Sequence, residues 1–432
     1  MSIRDILLSQ QREVTGKLRE QYIERDTSMK GRGSPIIKVV TGPRRAGKSF
    51  FTLHELQTGD SHPVYVNFDD ERLVVLNDYD ELVAAVGSLD RADQTRIILD
   101  EIQNLPRWEL FANRLSRQGY DITITGSNAH LLSSEFSTHL TGRFLETVLF
   151  PFSFAEYLRW SGADLTGYEK EQELLRYAHL GGYPEPLVRH LEHRDYLSLL
   201  FDSILYKDIV KRCRVRDPAS IEDLAVYLLA NICSEYSLST LSQVTRVKSP
   251  HTVRKYLGYL EEAFLFFSLP RFSYRVREQV TANRKIYCID NGFIEAKAAR
   301  HSDNLGHLFE NLAAIDLHYH ELTGDIRLSY WKNAQQEEVD FVVRRGRDIV
   351  SLIQVCADTS APRTRDREVR ALLKAGRDLS CRSLIILTGR EEGTIETEWF
   401  GIRGKIRFIP LWKWFESSDR KELLSPPDTV MG

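Results

Sequence analysis

One stretch decides the fold of the first third of this chain: Val39-Val40-Thr41-Gly42-Pro43-Arg44-Arg45-Ala46-Gly47-Lys48-Ser49. It continues an apolar, β-branched run and contains the pattern G-x-x-x-x-G-K-S. The glycines let backbone N–H groups approach phosphate oxygens, the lysine charge suits the β- and γ-phosphates, and the serine hydroxyl suits Mg²⁺. Residues 42–49, named here the phosphate loop, are therefore predicted to bind a nucleoside triphosphate. The alternative is a chance match, which the following motifs disfavour.

A second apolar run ends in two carboxylates. Residues 96–99 read as a buried strand, and Asp100 and Glu101 follow it directly. Asp100 is suited to support the Mg²⁺ that Ser49 contacts, and Glu101 is suited to orient or polarise an attacking water molecule. The alternative is a strand that merely ends in solvated acids, and the phosphate loop upstream disfavours it.

Two further positions are candidates to contact phosphate. The run 122–125 reads as a strand that ends in Gly126-Ser127-Asn128, and Asn128, or else Ser127, is suited to sense the γ-phosphate. A simple polar turn is the alternative there. Arg143 precedes another strand-like run, 144–149, and is a candidate to touch a phosphate from its own chain or from a neighbouring subunit. An ordinary surface arginine is the alternative.

Five apolar runs alternate with helical segments in this part of the chain: 36–40, 64–68, 96–99, 122–125 and 144–149. Strands that alternate with helices favour a doubly wound parallel sheet. We therefore predict an α/β fold with a helical segment at residues 1–30 and a nucleotide-binding domain at residues 31–150.

Composition places the chain among ordinary globular proteins, with 42% hydrophobic residues, 28% charged residues and a formal net charge of −3. That balance gives no overall sign of a nucleic-acid binder. The five scattered cysteines contain no C-x-x-C pair, which favours reduced thiols over disulfides or a zinc site. The N-terminus lacks the pattern of a signal peptide, and no apolar stretch reaches membrane-spanning length. A cytoplasmic protein with no membrane partner is expected.

The middle of the chain is predicted to be a helical lid region, residues 151–232. Ser153 is a candidate helix cap, and Gly181-Gly182-Tyr183-Pro184 must interrupt the helices. The segment 205–216 carries five basic residues against one acid, Asp208. It could meet nucleic-acid phosphates, but a solvated face or a contact between domains is the more ordinary explanation.

Residues 233–275 have the pattern of a winged helix. A short helix at 238–244 is followed by a second helix that Pro250 opens, with His251, Thr252, Arg254 and Lys255 predicted to face outward. The runs 263–267 and 271–273 are predicted to form the two strands of the wing. Such a module reads DNA in some proteins and serves as a packing or lid module in others, and both alternatives stay open.

The last part, residues 276–432, is predicted to be a mixed α/β domain with a nuclease-like arrangement. Glu310 on a helix and Asp340 on a strand suit two of its acidic positions. Where acid-x-lysine would complete a metal-dependent nuclease, the chain has Gln354 and Cys356. A neutral amide and a thiol replace those groups poorly, so we expect a domain retained for binding and no cleavage.

These motifs together resemble a family of prokaryotic, largely archaeal-type P-loop ATPases related to AAA+ proteins, with a winged helix and a C-terminal domain of unknown function that has a nuclease-like fold. The resemblance spans roughly residues 30–415. It is carried by 42–49, Leu99-Asp100-Glu101-Ile102-Gln103, Thr125-Gly126-Ser127-Asn128, Leu140-Thr141-Gly142-Arg143, Gly181-Gly182-Tyr183-Pro184, Leu205-Tyr206-Lys207-Asp208-Ile209 and Glu338-Val339-Asp340-Phe341.

The resemblance implies ATP as the nucleotide, whereas the biological task and any protein partner stay open. We expect an Mg²⁺-dependent ATPase whose nucleotide state drives a rearrangement of domains. The first alternative is a DNA-associated regulatory protein that uses ATP as a slow switch. The minor alternative is an ATP-dependent nuclease.

Overall fold

The computed structural model describes residues 2–57, 63–73, 78–89, 96–128, 144–162, 164–245, 247, 249–298, 305–324, 326–417 and 420. The chain divides into two compact units. Unit 1 comprises Met1–Phe152 and Glu262–Phe264, and unit 2 comprises Ser153–Glu261 and Leu265–Gly432. The predicted domain boundaries at residues 30, 150, 232 and 275 stay predictions.

Unit 1 is built on a five-stranded parallel sheet. Its strands are β1 (Ile37–Thr41), β2 (Val64–Asn67), β3 (Arg96–Asp100), β4 (Asp121–Gly126) and β5 (Phe144–Val148). They lie in the order β2-β3-β4-β1-β5, and every neighbouring pair is parallel. The predicted parallel sheet is therefore confirmed. Because all carboxyl ends meet at one edge, the phosphate loop after β1 and the two acids at the end of β3 lie at the same edge.

Four described helices belong to this unit: α1 (Ile3–Lys17), α2 (Lys48–Leu56), α3 (Tyr79–Leu89) and α4 (Trp108–Arg117). The strands are apolar because the sheet is covered by helices, so that Val39, Leu99 and Ile124 are almost completely buried. The buried strands hold the loops at their carboxyl ends in fixed positions.

Unit 2 begins with helices α5 (Phe154–Ser161), α6 (Gly167–Leu180), α7 (Pro184–Val188), α8 (His193–Ser203) and α9 (Pro218–Ala230). Ser153 caps α5, since its hydroxyl accepts a hydrogen bond from the backbone N–H of Glu156 at 3.2 Å. A π-helix, Ile204–Lys211, continues directly from α8. The predicted helical middle of the chain is thus present in unit 2.

The predicted helix pair is also present, as α10 (Leu238–Val244) and α11 (Pro250–Glu262). The predicted wing is wrong in its second strand. Strand β7 (Phe266–Pro270) pairs with β8 (Arg284–Cys288), which also pairs with β6 (Glu235–Tyr236), and the short helix α12 (Val276–Thr281) lies between β7 and β8. Residues 271–273 turn away from β7 because the N–H of Phe272 donates to the carbonyl of Tyr330.

A six-stranded mixed sheet completes unit 2. Its strands are β9 (Ile326–Lys332), β10 (Glu338–Arg345), β11 (Asp348–Cys356), β12 (Leu384–Thr388), β13 (Gly393–Trp399) and β14 (Ile402–Pro410). They lie in the order β13-β14-β12-β11-β10-β9. The accompanying helices are α13 (Asn291–Lys297), α14 (Leu305–Thr323), α15 (Pro362–Asp378) and α16 (Leu411–Glu416). The predicted mixed α/β class is confirmed, although the β13–β14 hairpin was not predicted.

Buried asparagines join segments of unit 2 that lie far apart in the chain. The Asn311 amide donates to the backbone carbonyl of Cys288 at 2.9 Å and to the side-chain oxygen of Asn291 at 2.8 Å. The Asn291 amide in turn donates to the backbone carbonyls of Ala178 and Leu308. Helices α6, α13 and α14 are therefore fastened to one another through buried, fully engaged amides.

No helix in the described ranges is both long enough and apolar enough to cross a membrane.

Candidate functional site: the phosphate loop and its acidic strand

The phosphate loop needs glycine at both of its motif positions. Gly42 has a φ of +146°, and a Cβ atom there would lie 1.9 Å from the carbonyl oxygen of Leu149. Gly47 adopts a φ of +94° at the start of α2. A side chain at position 42 would push the loop away from β5, so the tight turn that aims the backbone N–H groups depends on this residue.

Within the loop, the Lys48 ammonium group is buried and donates to the carbonyl oxygens of Gly42 and Pro43, at 3.0 and 2.8 Å. Arg44 forms an ion pair of 3.5 Å with Asp69, which follows β2. Arg45 adopts a left-handed backbone with a φ of +64°. Contacts with neighbouring groups therefore orient the side chains of Lys48 and Arg44, and the cation of Arg45 belongs to the same loop.

The proposed metal ligands of the sequence are brought together. The Ser49 hydroxyl lies 2.7 and 3.0 Å from the two carboxylate oxygens of Asp100. Two more hydroxyls, of Tyr65 on β2 and Thr125 on β4, donate to the same carboxylate. A carboxylate and a hydroxyl are hard oxygen donors of the kind that Mg²⁺ prefers, so this pair fits the ion.

Burial is the main influence on the pKa of Asp100. It raises the pKa of Asp100, and the neighbouring charge of Glu101 raises it further, whereas the hydroxyls of Thr125, Tyr65 and Ser49 act in the opposite direction. Burial and the adjacent Asp100 carboxylate likewise raise the pKa of Tyr65, which keeps the phenol protonated as a donor. A nearby cation would stabilise the charged form of Asp100.

Glu101 occupies a strained position immediately after β3, with φ and ψ of +51° and +46°. Its carboxylate accepts hydrogen bonds from Gln103 and from the Ser127 hydroxyl, the latter at 3.2 Å. Its backbone N–H donates to Thr125. A left-handed conformation in a residue other than glycine is uncommon and often marks a functional position.

The remaining predicted contacts are placed as follows. Asn128 is buried at the carboxyl end of β4, next to Ser127, and Ser127 is the one whose hydroxyl meets Glu101. Arg143, together with the stretch 140–142, lies outside the described residues. The catalytic roles of Glu101, Asn128 and Arg143 stay predictions.

Two residues that support the site, Tyr65 and Arg25, were not predicted from the sequence. Tyr65 looked like an ordinary strand residue, although a tyrosine within a buried strand signals a hydroxyl that needs a partner. Arg25 comes from irregular chain before β1 and donates to the carbonyls of Ala46 and Phe150, with its guanidinium over the ring of Phe152. Arg25 therefore links the phosphate loop to the chain that follows β5. No sequence motif predicts this contact.

The predicted outward residues of the helix pair lie on α11. His251, Arg254 and Lys255 are exposed, and Thr252 is half-buried. The opposite face of the helix buries Val253 and Leu260. The helix therefore has a core face and a polar, basic face, as the sequence predicts.

A second cluster of charge lies in unit 2, around the predicted acids Glu310 and Asp340. The ammonium group of Lys285, on β8, lies 2.8 Å from Glu310, 3.0 Å from Asp340 and 2.7 Å from Glu338. Burial opposes the lysine charge, but the carboxylates of Asp340 and Glu310 outweigh burial and raise the pKa of Lys285 well above its usual range. Lys285 was not predicted, because the nuclease-like pattern has its lysine at the position of Cys356, on β11, whereas Lys285 lies on β8, before α14.

Gln354 and Cys356 have other partners. The Gln354 side chain accepts from the backbone N–H of Asp340 at 3.2 Å and donates to Glu368 at 2.8 Å. The Cys356 thiol donates to the carbonyl of Asp358, and burial and then the charge of Glu368 raise its pKa to about 11. In the described ranges, no group of three or more His, Cys, Asp or Glu side chains is arranged to hold a metal ion.

Three family models match the chain in succession. Residues 34–158 match an AAA domain, residues 171–304 match a domain of unknown function, DUF8612, and residues 305–413 match a further domain of unknown function, DUF4143. The first of these contains the phosphate loop, Asp100 and Glu101. An AAA domain is an ATP-binding module of the P-loop class, which agrees with the geometry of the loop.

Curated relatives span most of the chain. An uncharacterized protein of Methanocaldococcus jannaschii is 31% identical over 397 residues, covering 88% of each chain. An uncharacterized protein of Haemophilus influenzae is 29% identical over 346 residues, covering 77% of this chain and 85% of its own. Among solved structures, the Aeropyrum pernix ORC1 protein in complex with DNA aligns with 73% of this chain and 93% of its own, with 16% identity and a TM-score of 0.31.

The match to the Methanocaldococcus jannaschii protein is long enough and similar enough in sequence to show a common family. The protein belongs to the same family as the Methanocaldococcus jannaschii protein, and its architecture is a P-loop AAA domain followed by a C-terminal DUF4143 domain.

Proposed function

We propose that this protein binds ATP with Mg²⁺ at the phosphate loop and hydrolyses it, and that the nucleotide state changes the arrangement of its domains. The observation that carries the proposal is the 2.7 Å contact between the Ser49 hydroxyl and the Asp100 carboxylate. Two segments far apart in the chain thereby provide adjacent oxygen ligands, beside the Lys48 ammonium and the Glu101 carboxylate.

Each residue has a chemical task. Lys48 and the backbone N–H groups of residues 42–49 bind the phosphates, and Ser49 and Asp100 hold Mg²⁺. When bound, the ion neutralises charge on the phosphate oxygens. Glu101 orients the attacking water and takes up its proton, and Asn128 senses the γ-phosphate. Arg143 is proposed as a further phosphate contact.

Adenine as the base follows from the AAA domain match. Support for the coupling to a rearrangement comes from Glu101 and Ser127, because they contact each other at the carboxyl ends of β3 and β4, beside the proposed γ-phosphate sensor Asn128. Loss of that phosphate changes the contacts of such residues, and in switch proteins small changes of this kind are amplified into movements of whole elements.

The test compares four proteins: the natural chain, Lys48→Ala, Glu101→Gln and the control Glu81→Gln, which changes an exposed acid on α3 in the same unit. We expect Lys48→Ala to lose ATP binding, and Glu101→Gln to bind ATP but to hydrolyse it about a hundredfold more slowly or worse. The control should bind and hydrolyse ATP as the natural chain does.

Two results would contradict parts of the proposal. Unchanged turnover in Glu101→Gln would remove that residue from the catalytic role. Unchanged ATP affinity in Lys48→Ala would remove the phosphate loop as the binding site. Titrating Mg²⁺ against each variant separates the metal requirement from nucleotide affinity.

A second candidate function is that of a DNA-associated regulatory protein in which ATP acts as a slow switch. The observation that favours it is the exposed basic face of α11, formed by His251, Arg254 and Lys255. In helix-turn-helix proteins the start of the second helix enters the major groove. Duplex DNA that stimulates ATP turnover, and an effect abolished by Arg254→Gln with Lys255→Gln, would support this candidate. Turnover independent of DNA would favour a protein partner.

A further inference from the structure

An exposed basic segment lies in unit 2, away from the phosphate loop in sequence and absent from its chemistry. It is named here the basic turn, residues 207–216, and covers the end of the π-helix and the chain that follows. Its five cations are Lys207, Lys211, Arg212, Arg214 and Arg216. All five are exposed, and within the described ranges none of them forms an ion pair or a side-chain hydrogen bond.

The acids near the basic turn are engaged elsewhere. The Asp217 carboxylate caps α9 by accepting from the hydroxyl and the backbone N–H of Ser220, at 2.6 and 3.2 Å. The Glu222 carboxylate accepts from the Tyr206 hydroxyl at 2.5 Å. These two acids therefore do not cancel the positive charge of the segment, in which five exposed cations stand against one half-buried acid, Asp208.

The backbone of this segment departs from regular geometry twice. The π-helix Ile204–Lys211 is hydrogen-bonded over a wider turn than an α-helix, and Arg214 adopts a left-handed conformation with a φ of +50°. Both features cost conformational energy, and both are often found where function requires them. Here they coincide with the five unpaired cations.

The residue that follows the basic turn, Asp217, lies near α11. Burial and then the nearby charge of Asp217 raise the pKa of Tyr256, so the residue that follows Arg216 lies close to the second helix of the helix pair. Tyr256 is followed on that helix by no acid until Glu261, and Arg254 and Lys255 precede it on the exposed side. The end of the basic turn is therefore near α11, which carries two further exposed cations.

We propose that the basic turn binds the phosphate backbone of duplex DNA, independently of nucleotide hydrolysis. Clustered, unpaired cations on a fixed backbone gain affinity by releasing counterions from a dense row of phosphates. An anionic membrane is the less suitable partner, because an interfacial segment needs an exposed apolar face. Within and just before the basic turn, Ile209 and Leu205 are buried, and the hydroxyl of Tyr206 is hydrogen-bonded to Glu222.

The test measures binding of the full chain to a fluorescent 30-base-pair duplex of mixed sequence between 50 and 300 mM salt, with and without ATP. The test variant is R212Q/R214Q/R216Q. The matched control, R347Q/R363Q/R382Q, removes the same charge from three exposed arginines scattered over unit 2. We expect the test variant to bind roughly tenfold or more weakly, with the slope of log K against log salt reduced by about 2 to 3, since each phosphate contact contributes about 0.9.

Additional variants separate a loss of charge from a loss of structure and from a loss of ATP hydrolysis. R212K/R214K/R216K should retain duplex binding, because Lys replaces the charge. The control triple variant should bind as the natural chain does, and ATP turnover should be the same in all of these proteins, whereas Glu101→Gln should lose turnover and keep duplex binding. A failure of the ATPase proposal would therefore leave this result untouched.

Several outcomes would overturn the proposal. They are an unchanged affinity and slope in the test variant, an equal loss in both triple variants, and no duplex binding by the natural chain under any of the conditions. Stronger binding to vesicles that contain anionic lipid than to the duplex, lost in the same test variant, would also overturn it in favour of a membrane surface.

Discussion

The hydroxyl of Tyr65 donates a hydrogen bond to the carboxylate of Asp100 across the parallel pair β2 and β3. This contact fixes one of the carboxylate oxygens from the side of the sheet away from β4, whereas Thr125 holds the other from β4. The carboxylate that is proposed to support Mg²⁺ is thus oriented by two hydroxyls from its neighbouring strands.

Tyr65→Phe removes one of these donors without changing the shape of the core. We expect the acidic limb of the pH–rate profile of ATP hydrolysis to shift to higher pH, because the loss of a donor destabilises the charged form of Asp100 and raises its pKa. The transition state should lose roughly 1 to 3 kcal/mol of stabilisation, which lowers turnover by about five- to 150-fold. Affinity for ATP without Mg²⁺ should be unchanged, and an unshifted profile would show that the contact is only structural.

Gly42→Ala places a methyl group against the carbonyl oxygen of Leu149, at a backbone angle that alanine avoids. We expect loss of ATP binding together with a lower melting temperature of unit 1. The control is Gly16→Ala, because a Cβ at that position in α1 meets no atom within 4 Å. That change should leave nucleotide binding intact and should stabilise the helix slightly, since alanine has the higher helix propensity.

Lys285→Met leaves Glu310, Glu338 and Asp340 without their shared cation. Removing one partner of a buried ion pair typically costs about 3 to 5 kcal/mol, so we expect a loss of this order in urea unfolding at pH 9. Burial and the neighbouring Asp340 raise the pKa of Glu310 to about 8, and the loss should shrink below that pH as Glu310 takes up a proton.

The same change has a matched control and a rescue. Lys405→Met alters an exposed lysine on β14 and should cost little. Adding Glu310→Gln to Lys285→Met should restore part of the lost stability, because one buried charge is removed. Equal stability of Lys285→Met and the natural chain would show that the cluster is hydrated and weakly coupled.

Asp290 provides a stability measurement that depends on pH. Its carboxylate is buried and accepts hydrogen bonds from the backbone N–H groups of Gly182 and Gly292, at 2.7 and 2.8 Å. Burial raises its pKa to about 7, against the opposing effect of those two donors. Between pH 4 and pH 7 the folded state therefore holds a proton that the unfolded chain releases, so this group lowers stability as the pH rises through that window.

Asp290→Asn removes this titration. We expect the free energy of unfolding of the natural chain, measured relative to the variant, to fall as the pH rises from 4 to 7 and to level off above pH 7. A difference that stays constant across the window would mean that Asp290 does not change its protonation between the two states. Urea unfolding followed by circular dichroism at several pH values provides the comparison.

Local patterns in the sequence were sufficient for the phosphate loop and for the strand that ends in Asp100 and Glu101, because each lies within one short segment. The partners of Asp100 were not predictable in this way. Tyr65 and Thr125 reach the Asp100 carboxylate only because β2 and β4 flank β3. The order of strands in the sheet cannot be predicted from any one of the three segments alone. The place of a residue along its own strand can be predicted from the neighbouring sequence, whereas the identity of the adjacent strand depends on the fold of the whole domain.

Lys285 illustrates the same limit in unit 2. The sequence interpretation sought a lysine two residues after an acid on one strand and found Cys356 there. The ammonium group near Glu310 and Asp340 comes instead from β8, which lies within the range predicted for the C-terminal domain but pairs with β6 and β7. The misplaced second strand of the wing has the same origin, since the true partner of β7 lies beyond α12.

The asparagine contacts have a consequence for how this architecture can be recombined. The family models for residues 171–304 and 305–413 meet between α13 and α14, yet Asn311 on one side holds Asn291 and Cys288 on the other. A fragment that ends at residue 304 would leave several buried amides without partners. The two stretches should therefore fold cooperatively, and a chimera that exchanges the C-terminal domain between relatives should express well only when both asparagines are inherited together.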